Sequence, residues 1–289
     1  MVAKKLNILT IGKGYISTSL KDDKTKNFNV ISISRNKLNS LKKINNIDIL
    51  LHPIGLNRHQ SIINPKKAIL VKKKYTNKII KFAKKNSIKK IIYFSTIHVY
   101  SKNLTGTIKE NTKCKNNHPY ALAHRCAEDI LKNKSNKNLK VIILRVSNLF
   151  GIRAIRNQSQ FSLVINAFMK QSILKKKIVV NDKYMIRDFI PLNYFIKKLN
   201  QCFFFNEKYK IVNIGYKSYS LFSVAKIISN RITKLFNYNL KIIYEDIQKD
   251  KNRNNKLQYK SFLRKNIQYN YSFIKEIDFS LKKLKEKCI

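Results

Sequence analysis

Leu6-Asn7-Ile8-Leu9-Thr10-Ile11-Gly12-Lys13-Gly14-Tyr15-Ile16-Ser17 is a short, mostly apolar run that breaks on two glycines and passes straight into a helical pattern. Tyr15, Ile16 and Leu20 carry the spacing of one buried helix face. A dinucleotide site needs a tight turn, close approach of backbone to a pyrophosphate, and a helix N-terminus aimed at that charge. Gly12 and Gly14 meet the first two needs, with Tyr15 and Ile16 opening the helix. Ser17 stands where a third glycine would ease helix–strand packing.

Further along, Phe28–Ile33, Ile47–Leu51, Ile91–Ser95 and Lys140–Arg145 read as strands, and Ala68–Lys84 and Tyr120–Leu131 as helices. The strands are continuous apolar runs alternating with helices, the pattern of a parallel sheet covered on both faces. The fold class expected is therefore α/β, a Rossmann-like doubly wound parallel sheet. Residues 1–150 are expected to form the dinucleotide-binding domain and residues 151–289 a smaller, partly interleaved substrate-binding lobe. That lobe should contain helices at Ser162–Met169 and Leu221–Ile232, strands at Lys177–Val180, Lys210–Ile214 and Leu240–Tyr244, and a Lys-rich C-terminal helix.

The end of the second strand is where NAD sites place an acid against the ribose 2′-hydroxyl and NADP sites an Arg against the 2′-phosphate. Ser34-Arg35 stand there and no acid lies between them and Asp48, so NADP is favoured over NAD. The chain of 289 residues is 44% hydrophobic, ample for a core. It holds no apolar run long enough to span a bilayer and no signal-peptide pattern, so a cytoplasmic location is expected. The four cysteines form no CxxC pair, and no metal site is expected. The formal net charge of +46 reads as compositional drift, because Lys, Asn and Ile are abundant throughout, with nonspecific polyanion binding as its consequence.

The order of short motifs resembles the extended short-chain dehydrogenase/reductases, especially nucleotide-sugar epimerases, dehydratases and reductases. The resemblance rests on Gly12 to Ser17, Asp48-Ile49-Leu50-Leu51-His52, Tyr93-Phe94-Ser95-Thr96 with Val99-Tyr100, and Pro119-Tyr120 with Glu128. It continues through Leu144-Arg145-Val146-Ser147-Asn148-Leu149-Phe150-Gly151, Arg187-Asp188-Phe189-Ile190 and Val212-Asn213-Ile214-Gly215. It implies that Tyr120 is the acid/base for a sugar hydroxyl while nicotinamide carries a hydride, and that Thr96 hydrogen-bonds the same oxygen. It further implies that Asn148 and Arg187 meet the diphosphate of a nucleotide-sugar substrate, with Arg253 as a second phosphate ligand, and that the protein is a homodimer.

The departures from the family pattern are specific. His124 stands four residues past Tyr120, one helical turn along the same face, where the family has a Lys that holds the nicotinamide ribose and lowers the Tyr pKa. His124 is therefore read as an imperfect replacement for that Lys. Lys72 stands where the family has an Asn, and Pro53-Ile54-Gly55 replace the small residues after the third strand. Ile97-His98, in place of an Asp-Glu pair after Thr96, weigh against a dehydratase. The sequence thus points to an NAD(P)-dependent epimerase or keto-reductase. A non-catalytic dinucleotide-binding relative and a basic RNA- or polyanion-binding protein are the alternatives.

Overall fold

The computed structural model describes residues 5–12, 14–22, 28–38, 44–153, 158–244, 256–261, 263 and 269–288. In chain order the elements are β1 (Leu6–Ile11), α1 (Tyr15–Asp22), β2 (Phe28–Ile33), β3 (Ile49–His52), α2 (Arg58–Ile63), α3 (Pro65–Lys85), β4 (Lys90–Thr96) and β5 (Gly106–Ile108). Next come α4 (Pro119–Lys134), β6 (Lys140–Val146), β7 (Asn148–Phe150), α5 (Val164–Lys175), β8 (Lys177–Val180), β9 (Ile186–Pro191) and α6 (Leu192–Cys202). The last are β10 (Tyr209–Ile214), β11 (Lys217–Ser220), α7 (Leu221–Phe236), β12 (Lys241–Tyr244), β13 (Leu257–Tyr259) and α8 (Tyr269–Cys288). The chain divides into two compact units, one of Met1–Asn103, Glu110–Val146 and Lys198–Asn213, the other of Leu104–Lys109, Ser147–Lys197 and Ile214–Ile289.

The first unit is built on a six-stranded sheet of order β10-β6-β4-β3-β1-β2. The β1–β2, β1–β3, β3–β4 and β4–β6 pairs are all parallel. Apolar strands such as Ile91-Ile92-Tyr93-Phe94 are buried along their whole length, as a sheet covered on both faces requires. Leu9, Leu50, Ile91 and Val141 join Ile79, Ala83, Ala127 and Leu131 of α3 and α4 in one core cluster. The α3 helix starts at Pro65, whose fixed φ and missing N–H suit a first helical position. From β1 the chain goes outward to β2 and then returns to β3 on β1's other side. The carboxyl ends of β1 and β3 therefore flank the topological switch point, where open α/β sheets bind ligands.

The second unit holds a three-stranded sheet β11-β9-β7, with β9 antiparallel to β11 and parallel to β7. Two further pairs, β12–β8 and β13–β5, are parallel. Helices α5, α7 and α8 pack against one another.

The α/β, Rossmann-like expectation is met. The sequence-read strands and helices recur with ends shifted by a few residues; the third strand, for instance, runs to His52 instead of starting at Ile47. The elements missed are β5, β7, β9, β11, β13, α2 and α6. The strands among them have six residues or fewer, and several mix polar with apolar residues, so they lack a period long enough to read. Among the described residues, no helix is long and apolar enough to cross a membrane.

Candidate active site

Gly12 closes β1 at φ +101°, a backbone state that glycine adopts without strain. Its N–H donates to the Ile33 carbonyl at 2.7 Å, tying the ends of β1 and β2 together. A Cβ at Gly12 or Gly14 would meet nothing within 4 Å, so the turn is an open cradle. The Gly14 carbonyl accepts from Thr18 N at 3.0 Å and so opens α1, with Tyr15 and Ile16 half-buried in its first turn. The open cradle and the helix N-terminus that follows it fit a diphosphate. Ser17 is buried, and its Oγ lies 2.7 Å from Thr10 Oγ1 on β1. The serine in the third-glycine place is thus accommodated by a hydrogen bond to the strand it packs on. Arg35 is exposed just past β2, its guanidinium 6.0 Å from the centre of the Tyr75 ring.

Thr96 ends β4, and Tyr120 lies in the first turn of α4. The helix begins there because Pro119 takes a first-turn position and His118 caps it, with His118 Nδ1 accepting from Tyr120 N at 3.1 Å. Asn116 fixes the cap in turn, its Oδ1 accepting from His118 N at 2.9 Å and its Nδ2 donating to the His98 carbonyl at 2.7 Å. This support was missed in the sequence, since His is not a usual capping residue; the Pro after it was the available signal. Burial pushes the Tyr120 pKa up, opposed by the side-chain hydrogen bond from Thr96 and by the charge of Arg58 on α2. Thr96 and Tyr120 are therefore brought together with a nearby cation that the sequence reading did not single out.

Arg58 is exposed, so its pull on Tyr120 is solvent-screened. Arg58→Gln is expected to raise the Tyr120 pKa and move the matching limb of the kcat/KM–pH profile to higher pH. The shift should shrink in high salt, and a limb that stays in place at low salt would exclude Arg58 from this role.

His124 joins this site only through its ring, whose centre is 4.6 Å from that of Tyr120 in an edge-on arrangement. Its Nδ1 lies 2.8 Å from the Tyr93 hydroxyl, in a buried hydrogen bond to β4. Next to this pair, His52 Nδ1 accepts from Ile54 N at 3.4 Å, which leaves its Nε2–H to donate to Thr76 Oγ1 at 3.0 Å. Lys72 reaches in from α3, 2% exposed, and donates to the Ile54 carbonyl at 2.5 Å with its Nζ 5.1 Å from the centre of the Tyr93 ring. Desolvation pushes the Lys72 pKa down to about 7. Burial first, and the Lys72 charge second, hold both imidazoles well below their ordinary range, so His52 and His124 are neutral near neutral pH.

Behind Thr96, Ser95 Oγ donates to Glu128 Oε1 at 2.5 Å. Arg145 on β6 grips the same carboxylate through Nε at 3.1 Å and Nη2 at 2.6 Å, with both partners buried. Burial disfavours the guanidinium, but the Glu128 hydrogen bonds and charge outweigh it and raise the Arg145 pKa. In the second unit, Asn148 Nδ2 donates to the Asp188 carbonyl at 2.8 Å across β7 and β9. Arg187 is half-buried on β9, with Nη2 2.9 Å from Met185 Sδ. Arg253 lies outside the described residues.

The profile of the NAD dependent epimerase/dehydratase family matches residues 3–196. Among curated proteins, no sequence matches the chain significantly. The chain is similar in structure to UDP-N-acetylglucosamine 4-epimerase from Methanobrevibacter ruminantium M1 in complex with UDP-N-acetylmuramic acid. That match has 20% identity and a TM-score of 0.76, covering 96% of this chain and 98% of the other. RMD from Pseudomonas aeruginosa, complexed with NADPH, matches at 14% identity and a TM-score of 0.77, covering 97% and 99% of the two chains. UDP-glucose 4-epimerase from Thermotoga maritima, with UDP-glucose, matches at 15% identity and a TM-score of 0.75, covering 98% and 100%.

Proposed function

The chain belongs to the NAD dependent epimerase/dehydratase family, and on that premise we propose that it is an NAD(P)-dependent enzyme acting on a nucleotide-activated sugar, as an epimerase or keto-reductase. The observation that carries this reading is the approach of Thr96, at the carboxyl end of β4, to Tyr120 in the first turn of α4, close enough for Thr96 to oppose the burial-driven rise in the Tyr120 pKa. That position lies beside the crevice at the switch point of the sheet. A bound nicotinamide dinucleotide supplies the site with hydride transfer.

This chain's own residues would do the rest. Gly12, Gly14 and the first turn of α1 at Tyr15 and Ile16 would receive the pyrophosphate. Arg35, exposed past β2, would take a 2′-phosphate and favours NADP over NAD. The Tyr120 hydroxyl would give and take the proton of the reacting sugar oxygen, with Thr96 donating to the same oxygen. Asn148 and Arg187 would meet the substrate diphosphate. A second reading, a relative that binds a dinucleotide without turnover, is favoured by the hydrogen bond that engages His124 with Tyr93.

A thermal-shift panel of NAD, NADP and several UDP-, GDP- and dTDP-sugars tests the proposal, since a ligand that binds only the folded state stabilises it by mass action. The expected result is a shift with NADP, a smaller one with NAD, and a further shift when one nucleotide sugar is added. No shift with either dinucleotide would reject the reading. Shifts without turnover of any bound sugar nucleotide would favour the non-catalytic relative.

A further inference from the structure

Lys72 is a lysine held inside the first unit. It is buried at 2% exposure, and no carboxylate pairs with it among the described residues. Burying an unpaired ammonium is costly. Its ammonium donates to the neutral Ile54 carbonyl, and its aromatic neighbour is the Tyr93 ring. The backbone makes room for it at Gly55, where any Cβ would sit 2.5 Å from Nζ. Ile54 and Gly55 lie just past β3, after Pro53, so the amine lies near the carboxyl end of that strand, next to the switch point.

We propose that Lys72 is a positioning residue of the dinucleotide site, supplying from α3 the amine that His124 does not supply from α4. The inference rests on the dinucleotide reading above. It divides between two residues the work that the family assigns to one Lys. Arg58 acts on Tyr120, and Lys72 places its charge behind the Ile54–Gly55 wall, where it attracts an anionic cofactor. A methyl-ended side chain of similar length would fill the same space without the desolvation penalty, so a lysine kept here for stability alone has no physical rationale.

His52 of β3 and His124 of α4 feel the Lys72 charge, and the Tyr93 ring of β4 lies beside it. Glu128 of α4 acts on Tyr93, Arg58 of α2 acts on Tyr120, and Arg35 lies over Tyr75 one turn along α3. The two imidazoles are held neutral, and Glu128 is engaged by Arg145 and Ser95. Lys72, with its pKa pushed down to about 7, is therefore the group of this cluster that changes charge near neutrality.

The test is fluorescence titration of NADH and NADPH into the full chain, as wild type, Lys72→Met and Lys72→Gln, at about pH 6 and about pH 8.5. Comparing variant with wild type cancels the titration of the NADPH 2′-phosphate itself. Wild-type affinity is expected to fall about tenfold relative to the variants as the ammonium loses its proton, one pKa unit of coupling. The variants should bind more weakly than wild type at the lower pH.

Thermal unfolding gives a second readout. The folded-state pKa of Lys72 lies below its ordinary value of 10.5, so the unfolded chain holds a proton that the folded chain gives up between about 7 and 10.5. The variants should therefore unfold several degrees higher than wild type below about pH 7, with the gain fading as pH rises towards 10.5. Variants that keep the wild-type pH dependence of binding, or that unfold lower with affinity unchanged, would overturn the proposal and leave Lys72 a structural donor. Absence of dinucleotide binding by every protein at both pH values would overturn the cofactor reading as well, and the two failures are thereby distinguished.

Discussion

Tyr120→Phe is expected to lower kcat on the responsive sugar nucleotide by about 10²–10⁴-fold, the range that a lost general acid/base commands. The substitution removes one oxygen and keeps the ring, so the edge-on packing against His124 at 4.6 Å survives. The His118 cap acts on the Tyr120 backbone and is likewise untouched. Dinucleotide affinity should therefore hold while turnover collapses, which separates loss of chemistry from loss of binding. Steady-state turnover beside a dinucleotide titration measures both. A Phe variant with wild-type turnover would remove Tyr120 from the chemistry and, with it, the case for a Tyr-based site. Thr96→Val provides a graded comparison, because Thr96 acts on the Tyr120 pKa through its hydrogen bond.

Glu128→Ala should cost about 3–5 kcal/mol of folding stability, the usual penalty for breaking a buried pair on one side. Arg145 would keep its charge at 5% exposure and lose both hydrogen bonds to the carboxylate. Ser95 would lose its acceptor at the same time. Since Ser95 directly precedes Thr96, the end of β4 that positions the Tyr120 partner would loosen as well. Urea unfolding gives the stability change, provided the slope m stays the same as wild type. A loss below about 1 kcal/mol would mean that Arg145 finds other partners or water, as exposed pairs do. The Arg145 guanidinium also lies 4.8 Å from the centre of the Tyr100 ring, and the Tyr100 hydroxyl donates to Asn213 Oδ1 at 2.6 Å. The Glu128 variant should therefore also disturb the join between β6 and the following strand β10 at the sheet edge.

Much of the first unit was legible in the chain because its signals are local. Gly12 could be read from its place at the end of an apolar run, and its φ of +101° bears out the turn that the sequence implied. The buried strands declared themselves as unbroken apolar runs, since a strand covered on both faces has no polar side to alternate with. The second unit was less legible, because its strands of three to six residues, such as β5, β7, β9 and β13, are too short for a period. Asn148 illustrates the same limit. Its motif was visible, but its hydrogen bond to Asp188 is made across a gap of forty residues.

The sequence by itself determined the Rossmann-like class and the glycine turn after the first strand, because each depends on residue type and spacing within a few turns of chain, while the order of motifs singled out Thr96 and Tyr120 as a candidate pair. Only the tertiary structure decided what surrounds that pair. His124 could have faced a cofactor or the sheet, and Tyr93, thirty-one residues away in sequence, draws it to the sheet. Lys72 could have been one more solvated lysine on a chain with 61 basic residues. It is instead buried against Ile54 and Gly55, reaching in from α3. Such choices depend on which side chains long-range packing brings together in a low-dielectric interior, where the Lys72 charge helps hold His52 and His124 neutral.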